Sequence, residues 1–201
     1  MPQPDPQPVH AAAAIVLWRK IGARIEVLMG QRGAAAVFMP SKYVFPGGRV
    51  DPGDSGDPGL VSPRCLYRLG LCTQTDPTHL IGAALRELVE ETGLALRSDL
   101  PGVLRLIFRA ITPPGSTRRF DAWFFLAPAT ALLGDADDFS RASDELSHLH
   151  WIGLTEARGL DLPFITEVVI AEVASLLAGR DQPGVPFFDN SGPVPTFRRL
   201  D

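Results

Sequence analysis

The chain reads as an α/β fold, and its element order allows a sandwich in which a mixed β-sheet lies between helices. Three observations carry that expectation. Short β-branched and aromatic runs recur along the sequence as strand candidates. Two stretches with helical apolar spacing fall among and after them, so helices and strands are mixed rather than segregated. The 201 residues, 45% of them hydrophobic, supply one sizeable core and show no second compositional block.

Met1 to Pro8 alternates proline with polar residues and reads as a flexible tail, which leaves 9–201 as a single domain. Strand candidates follow at Ala12–Trp18, Ile25–Met29 and Tyr43–Phe45. Asp76-Pro77 has the form of an N-cap followed by proline at the first helical position, and Gly93 suits the position just past a helix end. A helix from Pro77 to Thr92 is therefore expected. Val103–Ala110, Arg119–Leu126 and His150–Ile152 are further strand candidates. Phe164–Leu177 reads as a second amphipathic helix that packs through Ile165, Val168, Val169, Val173, Leu176 and Leu177. Residues 181–201 follow as a C-terminal extension. No apolar run reaches membrane-spanning length, and the alanine-rich start lacks the basic flank of a signal peptide. Two cysteines in the whole chain suggest a reduced, cytoplasmic setting.

Within the first helix, Arg86-Glu-Leu-Val-Glu-Glu-Thr-Gly-Leu94 crowds three carboxylates near a C-terminal end, where the helix dipole disfavours anions. At 100° per residue, Glu90 and Glu91 fall about 60° and 40° on either side of Glu87. Ile81, Leu85, Leu88, Val89 and Thr92 occupy a separate arc, which sets the carboxylates outward. One such like-charge pair at about 6 Å costs roughly 3 kcal/mol at an effective dielectric of ~20. A cation should offset it. Oxygen ligands favour a hard ion, Mg²⁺ or Mn²⁺. Zinc is disfavoured, because His10, His79, His148 and His150 and the two isolated cysteines show no ligand spacing. A solvated helix end capped by glycine is the alternative reading of the same run.

The upstream segment Phe45-Pro-Gly-Gly-Arg-Val-Asp-Pro-Gly-Asp54 shifts the balance. With Arg86, Glu87, Leu88, Glu90, Glu91, Gly93 and Leu94, and with Gly48 as the first glycine, it resembles the Nudix box. Asp54 stands where that pattern has its first glutamate, with the same charge and a shorter reach. Thirty-one residues, 55–85, separate Asp54 from Arg86, where the pattern has seven. Loop-closure entropy puts the cost of that lengthening at only about 1.3 kcal/mol. The extra residues, an insertion at 55–79, largely precede the helix and leave its register alone. A subset of Nudix proteins carries a long insertion here, including a peroxisomal coenzyme A diphosphatase type, and Phe38-Met39-Pro40, Tyr43–Gly48, Arg118–Asp121 and Phe124–Leu126 look like that subset.

The resemblance implies a Nudix-type α/β/α sandwich and a Mg²⁺-dependent hydrolase that cleaves a nucleoside diphosphate linked to another moiety. Coenzyme A or an acyl derivative leads the substrate list. It implies that Glu87, Glu90 and Glu91, with the Gly48 carbonyl, hold the metal, and that Arg86 orients a glutamate. Glu145, in the acidic segment before Trp151, is the candidate general base, against a plain exposed acidic loop. Arg32 and Arg119, at strand ends, are candidates for a diphosphate, against solvated arginines. A net charge of −4 argues against extended nucleic acid. Arg64–Leu71 in the insertion carries Leu66, Tyr67, Leu69 and Leu71, which could pack over the site or against a second copy as a homodimer. ADP-ribose or nucleotide-sugar hydrolysis, and a non-catalytic sensing module, are the alternatives.

Overall fold

The protein is described from a computed structural model, which covers residues 7–201; most of the expected tail, Met1–Pro6, lies outside the described residues. Gln7 and Pro8 are exposed. Nine strands follow: β1 (Val9–Ile21), β2 (Arg24–Arg32), β3 (Tyr43–Val44), β4 (Gly47–Arg49), β5 (Arg105–Ile111), β6 (Arg119–Pro128), β7 (Leu146–Gly153), β8 (Val185–Asp189) and β9 (Thr196–Leu200). They form one sheet in the order β3-β2-β1-β6-β5-β8-β9, with β4 paired to β1 and β7 to β2. The β1–β6 and β5–β8 pairs are parallel and the rest antiparallel, so the sheet is mixed.

Helices cover both faces. α2 (Pro77–Thr92) packs Leu80, Ile81 and Leu88 with Ile15, Leu17, Trp123 and Phe125 on one side of the sheet. On the other, α4 (Phe164–Leu177) packs Val169, Ile170 and Val173 with Val16, Met29, Phe108 and Phe124. This double cover explains the unbroken apolar run at Ala122–Ala127, which a strand solvated on one face would not tolerate. The longer helix, α2, begins and ends where its cap signals place it, and α4 spans the stretch its apolar spacing marks. Asp76 accepts from the Thr78 amide at 2.8 Å, and Gly93 closes α2 with φ 75°, a left-handed conformation that glycine adopts without steric cost.

The insertion forms a 3-10 turn at Pro58–Leu60 and then α1 (Pro63–Cys72). Leu60, Val61, Cys65 and Leu69 join the core on the α2 side, and Arg68 is buried with Nη2 donating to the Pro183 carbonyl at 2.9 Å. Tyr67 and Leu71 face solvent. A short helix, α3 (Leu154–Ala157), follows β7.

Three strands lack a sequence signal. β4 is glycine-rich, β8 contains a proline, and β9 carries two arginines on an exposed edge, so none has alternating apolar residues. Tertiary contacts hold the last two in place. Arg109 makes a bidentate ion pair with Asp121 at 2.7 and 2.8 Å and stacks against Trp123 and Phe187, with its guanidinium carbon 4.5 and 4.3 Å from the ring centroids. Arg198 of β9 stacks on Phe187 at 4.7 Å. These contacts tie the β8–β9 hairpin to β5 and β6.

Candidate active site

Gly47 and Gly48 bring β4 against β1 and α2. A Cβ at Gly47 would stand 2.5 Å from that of Ala14, and one at Gly48 would collide with the Glu87 carboxylate. Neither position admits a side chain, and the bare backbone lets the Gly47 amide donate to Glu91 Oε2 at 2.8 Å.

This contact corrects the outward placement of the carboxylates. Glu91 is 1% exposed and Glu87 9%, whereas Val89, expected in the apolar arc, is 46% exposed. Because β4 covers α2 on the flank beside the apolar arc, the buried arc runs from Glu87 and Glu91 through Leu88 and Thr92, and ends short of Val89. Of the three glutamates, Glu90 alone faces solvent, with its side chain 55% exposed.

Arg86 ties the two halves of the motif together. Its Nε and Nη2 donate to Asp54 at 2.8 and 3.1 Å, Nη1 donates to Glu87 at 2.8 Å and Glu90 at 2.9 Å, and Nη2 also reaches the Arg49 carbonyl at 2.9 Å. The shorter aspartate completes the bridge. Asp54 is 6% exposed, accepts from the Asp51 amide at 2.7 Å, and has its carboxyl held below the usual range chiefly by the Arg86 hydrogen bond.

Glu91 has no such partner. Burial pushes its carboxyl up to about 8; the Glu87 and Glu145 charges add to this, while the Gly47 amide and Arg32 oppose it. Burial raises Glu87 as well, against Arg86. A cavity of about 860 Å³ connects these groups: Glu87, Glu91, Glu145, Gly48, Arg32 and Arg119 all line it. Glu90 does not, and remains on Arg86. Glu145 is an exposed loop residue whose charge reaches both buried glutamates. Arg32 has a buried Nε without a hydrogen-bond partner. Arg119 is 7% exposed and donates from Nε to the Thr112 carbonyl at 3.2 Å. No residue of α1 lines the cavity, so the insertion packs beside the core rather than over the site.

Among the described residues, no three His, Cys, Asp or Glu side chains stand together as a ready metal cluster. The donor set nevertheless fits a hard cation. Glu91 and Glu87 are buried oxygen donors short of positive charge, and Arg86 holds Glu87 and Glu90 on a single nitrogen. Sequence reasoning missed the Gly47 amide and the anchoring strength of Asp54. The Gly-Gly pair was the signal for the first, and the place of Asp54 in the motif was the signal for the second.

No family model and no curated protein matches the sequence. Solved structures do. A Nudix hydrolase from Alicyclobacillus acidocaldarius is 26% identical, with 84% of this chain and 92% of that one covered at a TM-score of 0.60. The chain has the Nudix fold. A C. elegans Ap4A hydrolase is similar at 22% identity, 85% and 99% coverage and a TM-score of 0.55. The Nudix domain of Shewanella oneidensis NrtR, complexed with ADP ribose, is similar at 16%, 85% and 90%, and 0.53. The latter two show the likeness of fold alone, and Arg86 joins Asp54 and Arg49 to Glu87 and Glu90 despite the insertion between them.

Proposed function

We propose that the chain is a divalent-cation-dependent pyrophosphohydrolase that cleaves a nucleoside diphosphate linked to a second moiety. One observation supports this above the others: buried Glu91, with no ion-pair partner among the described residues, and Glu87, which shares Arg86 with Asp54 and Glu90, line a cavity with the guanidinium groups of Arg32 and Arg119, which have no carboxylate within ion-pair distance among the described residues. A diphosphate carrying its own cation satisfies both ends, anion against arginine and metal against carboxylate.

Glu87, Glu91 and the Gly48 carbonyl would hold Mg²⁺ or Mn²⁺ from the cavity, and Glu90 would join them from the solvent side of α2 once released from Arg86. The ion supplies charge neutralisation at the non-bridging phosphate oxygens. Arg86 fixes Glu87 and Glu90 beside Glu91, and the Gly47 amide fixes Glu91. Arg32 and Arg119 orient the diphosphate. Glu145, the cavity carboxylate on a loop, takes the proton from the attacking water as the bridging P–O bond breaks. Two phosphate-bearing products result.

Coenzyme A or an acyl derivative leads the substrate list, because the long insertion resembles that subset of the family. ADP-ribose is the second reading, supported by the shared fold of the ADP-ribose-bound NrtR domain. A product-mass screen over coenzyme A, ADP-ribose, NADH, dinucleoside polyphosphates and nucleotide sugars, with Mg²⁺ and with excess EDTA, tests this. Expected is metal-dependent cleavage at the phosphoanhydride, fastest for coenzyme A. Undiminished turnover in EDTA, or no cleavage of any member, overturns the enzymatic reading.

A further inference from the structure

The floor of the cavity is laid by β1 and β6, and it runs on past the carboxylates to a second polar end. Strand register fixes the acidic end. Gly47, whose amide holds Glu91, lies opposite Ala14 of β1, and Glu145 precedes Leu146, which lies opposite Arg32. His10 is four residues back along β1, about 13 Å at the usual strand rise. There it lies opposite Phe120, whose carbonyl accepts from the Thr112 amide at 2.9 Å and whose amide donates to the Thr112 hydroxyl oxygen at 3.0 Å. β8 runs parallel to β5 with Phe188 opposite Ala110, so Asn190 and Thr112, each two residues further on, reach the same end. Arg118 leads into β6 beside them. His10, Thr112, Arg118 and Asn190 all line the cavity.

Four chain segments thus bring side-chain donors to one rim, and the protein supplies no acceptor for them. The Arg118 guanidinium, the His10 ring and the Asn190 amide make no side-chain hydrogen bond or ion pair among the described residues, and the Thr112 hydroxyl accepts from Phe120 with its own hydrogen left to give. No carboxylate answers the charge. The carboxylates of the cavity are Glu87, Glu91 and Glu145, at its other end. Asp121 and Asp189, close by in the chain, do not line it: Arg109 holds the first, and Ser191 and Arg198 hold the second. The chemistry of a ligand here is narrowed accordingly. An apolar group would strip water from these donors without replacing it, and a cation would meet the adjacent guanidinium groups of Arg118 and Arg119. A sugar hydroxyl brings no charge. A phosphate monoester brings about two negative charges and three strong acceptor oxygens, which matches a rim of converging donors.

We propose that the rim of His10, Thr112, Arg118 and Asn190 binds a phosphate monoester carried by the same substrate, at a distance from its diphosphate. The substrate class is then a nucleoside diphosphate derivative with a further phosphate, of which coenzyme A, with its ribose 3′-phosphate, is one. This names the substrate class of the functional reading above and rests on the diphosphate lying at the carboxylate end. Two measurements on the full chain separate the two ends. In calorimetric titrations with EDTA present, adenosine 3′,5′-bisphosphate should bind at least ~10-fold more tightly than adenosine 5′-monophosphate or inorganic phosphate, the gain of one charge-assisted contact. Arg118→Gln, at an exposed position that leaves the core untouched, should remove most of that advantage, and adding Asn190→Ala should remove the rest. In turnover with Mg²⁺, kcat/KM for coenzyme A should exceed that for dephospho-coenzyme A by a similar factor, carried by KM. The double variant should abolish the difference and leave dephospho-coenzyme A unchanged. Equal wild-type affinity for the bisphosphate and the monophosphate overturns the rim site, as does a preference that survives the double variant. Inorganic phosphate binding as tightly as the bisphosphate overturns it too, by making the rim a site for the free ion. If the bisphosphate preference is present and lost in the variants while no compound is hydrolysed, the rim site stands and the hydrolytic reading falls. If coenzyme A and dephospho-coenzyme A are hydrolysed equally well, the hydrolytic reading stands and the rim site falls.

Discussion

At the scale of single residues, the buried carboxylates carry the sharpest expectations. Glu91→Gln keeps the Gly47 hydrogen bond and removes the charge, so kcat should fall by at least ~100-fold, about 2.7 kcal/mol of barrier, while the fold survives. Glu145→Gln should lower kcat with little change in KM and flatten the acidic limb of the kcat profile; a wild-type kcat with the same limb would remove Glu145 from the mechanism. The metal-free protein should show the electrostatic cost directly. With its carboxyl raised from an ordinary 4.5 to about 8, Glu91 binds a proton more tightly folded than unfolded. Stability should therefore be highest below about 4.5 as far as this group is concerned, and decline as pH rises to about 8, by roughly 5 kcal/mol if the whole shift is realised. Asp54, held low by Arg86, acts in the opposite direction, and its contribution is lost on acidification. Melting temperature against pH should fall over the first window, fall less with Mg²⁺ present, and flatten in Glu91→Gln. The glutamate and arginine identities of this site were legible in the sequence through their spacing. Their inward orientation was not, because helical periodicity registers Glu as polar and carries no information about a glycine strand lying against one flank.

At the scale of elements, both long helices were legible to the residue, α2 through its cap and proline and α4 through its apolar spacing, because both signals are local. The insertion and the C-terminal hairpin were not, because their contacts lie far along the chain: Arg68 on Pro183, Arg109 between Trp123 and Phe187. Replacing residues 57–74 with a Gly-Ser linker should thus act through stability rather than catalysis. It removes Leu60, Val61 and Leu69, each almost fully buried, and uncovers the core they pack against, so the melting temperature should drop sharply; KM should hold where the shortened protein still folds. A changed KM at unchanged stability would show that the insertion reaches the substrate. Arg109→Met should cost about 2 kcal/mol, because Asp121 is left mostly buried without its partner. Adding Asp121→Asn should recover part of that loss, with denaturant midpoints as the measure.

At the scale of the whole molecule, the sandwich follows from the covering of both sheet faces, and the mixed strand order explains why it could be expected but not ordered from propensity alone. β1 runs parallel to β6 from Val9 opposite Arg119 to Trp18 opposite Pro128. Its apolar stretch must therefore wait for a neighbour synthesised about 110 residues later, which at 5–20 residues per second is on the order of ten seconds. Until then β1 has β4 beside Ala12–Ala14 and β2 beside Trp18–Ile21 on one side, and a bare edge on the other. The insertion lengthens the wait. A nascent chain stalled before Phe120 should be captured by holdase chaperones far more readily than one stalled after the complete domain has emerged, so the long parallel pairing that builds the floor of the cavity also makes this chain depend on assistance during its synthesis.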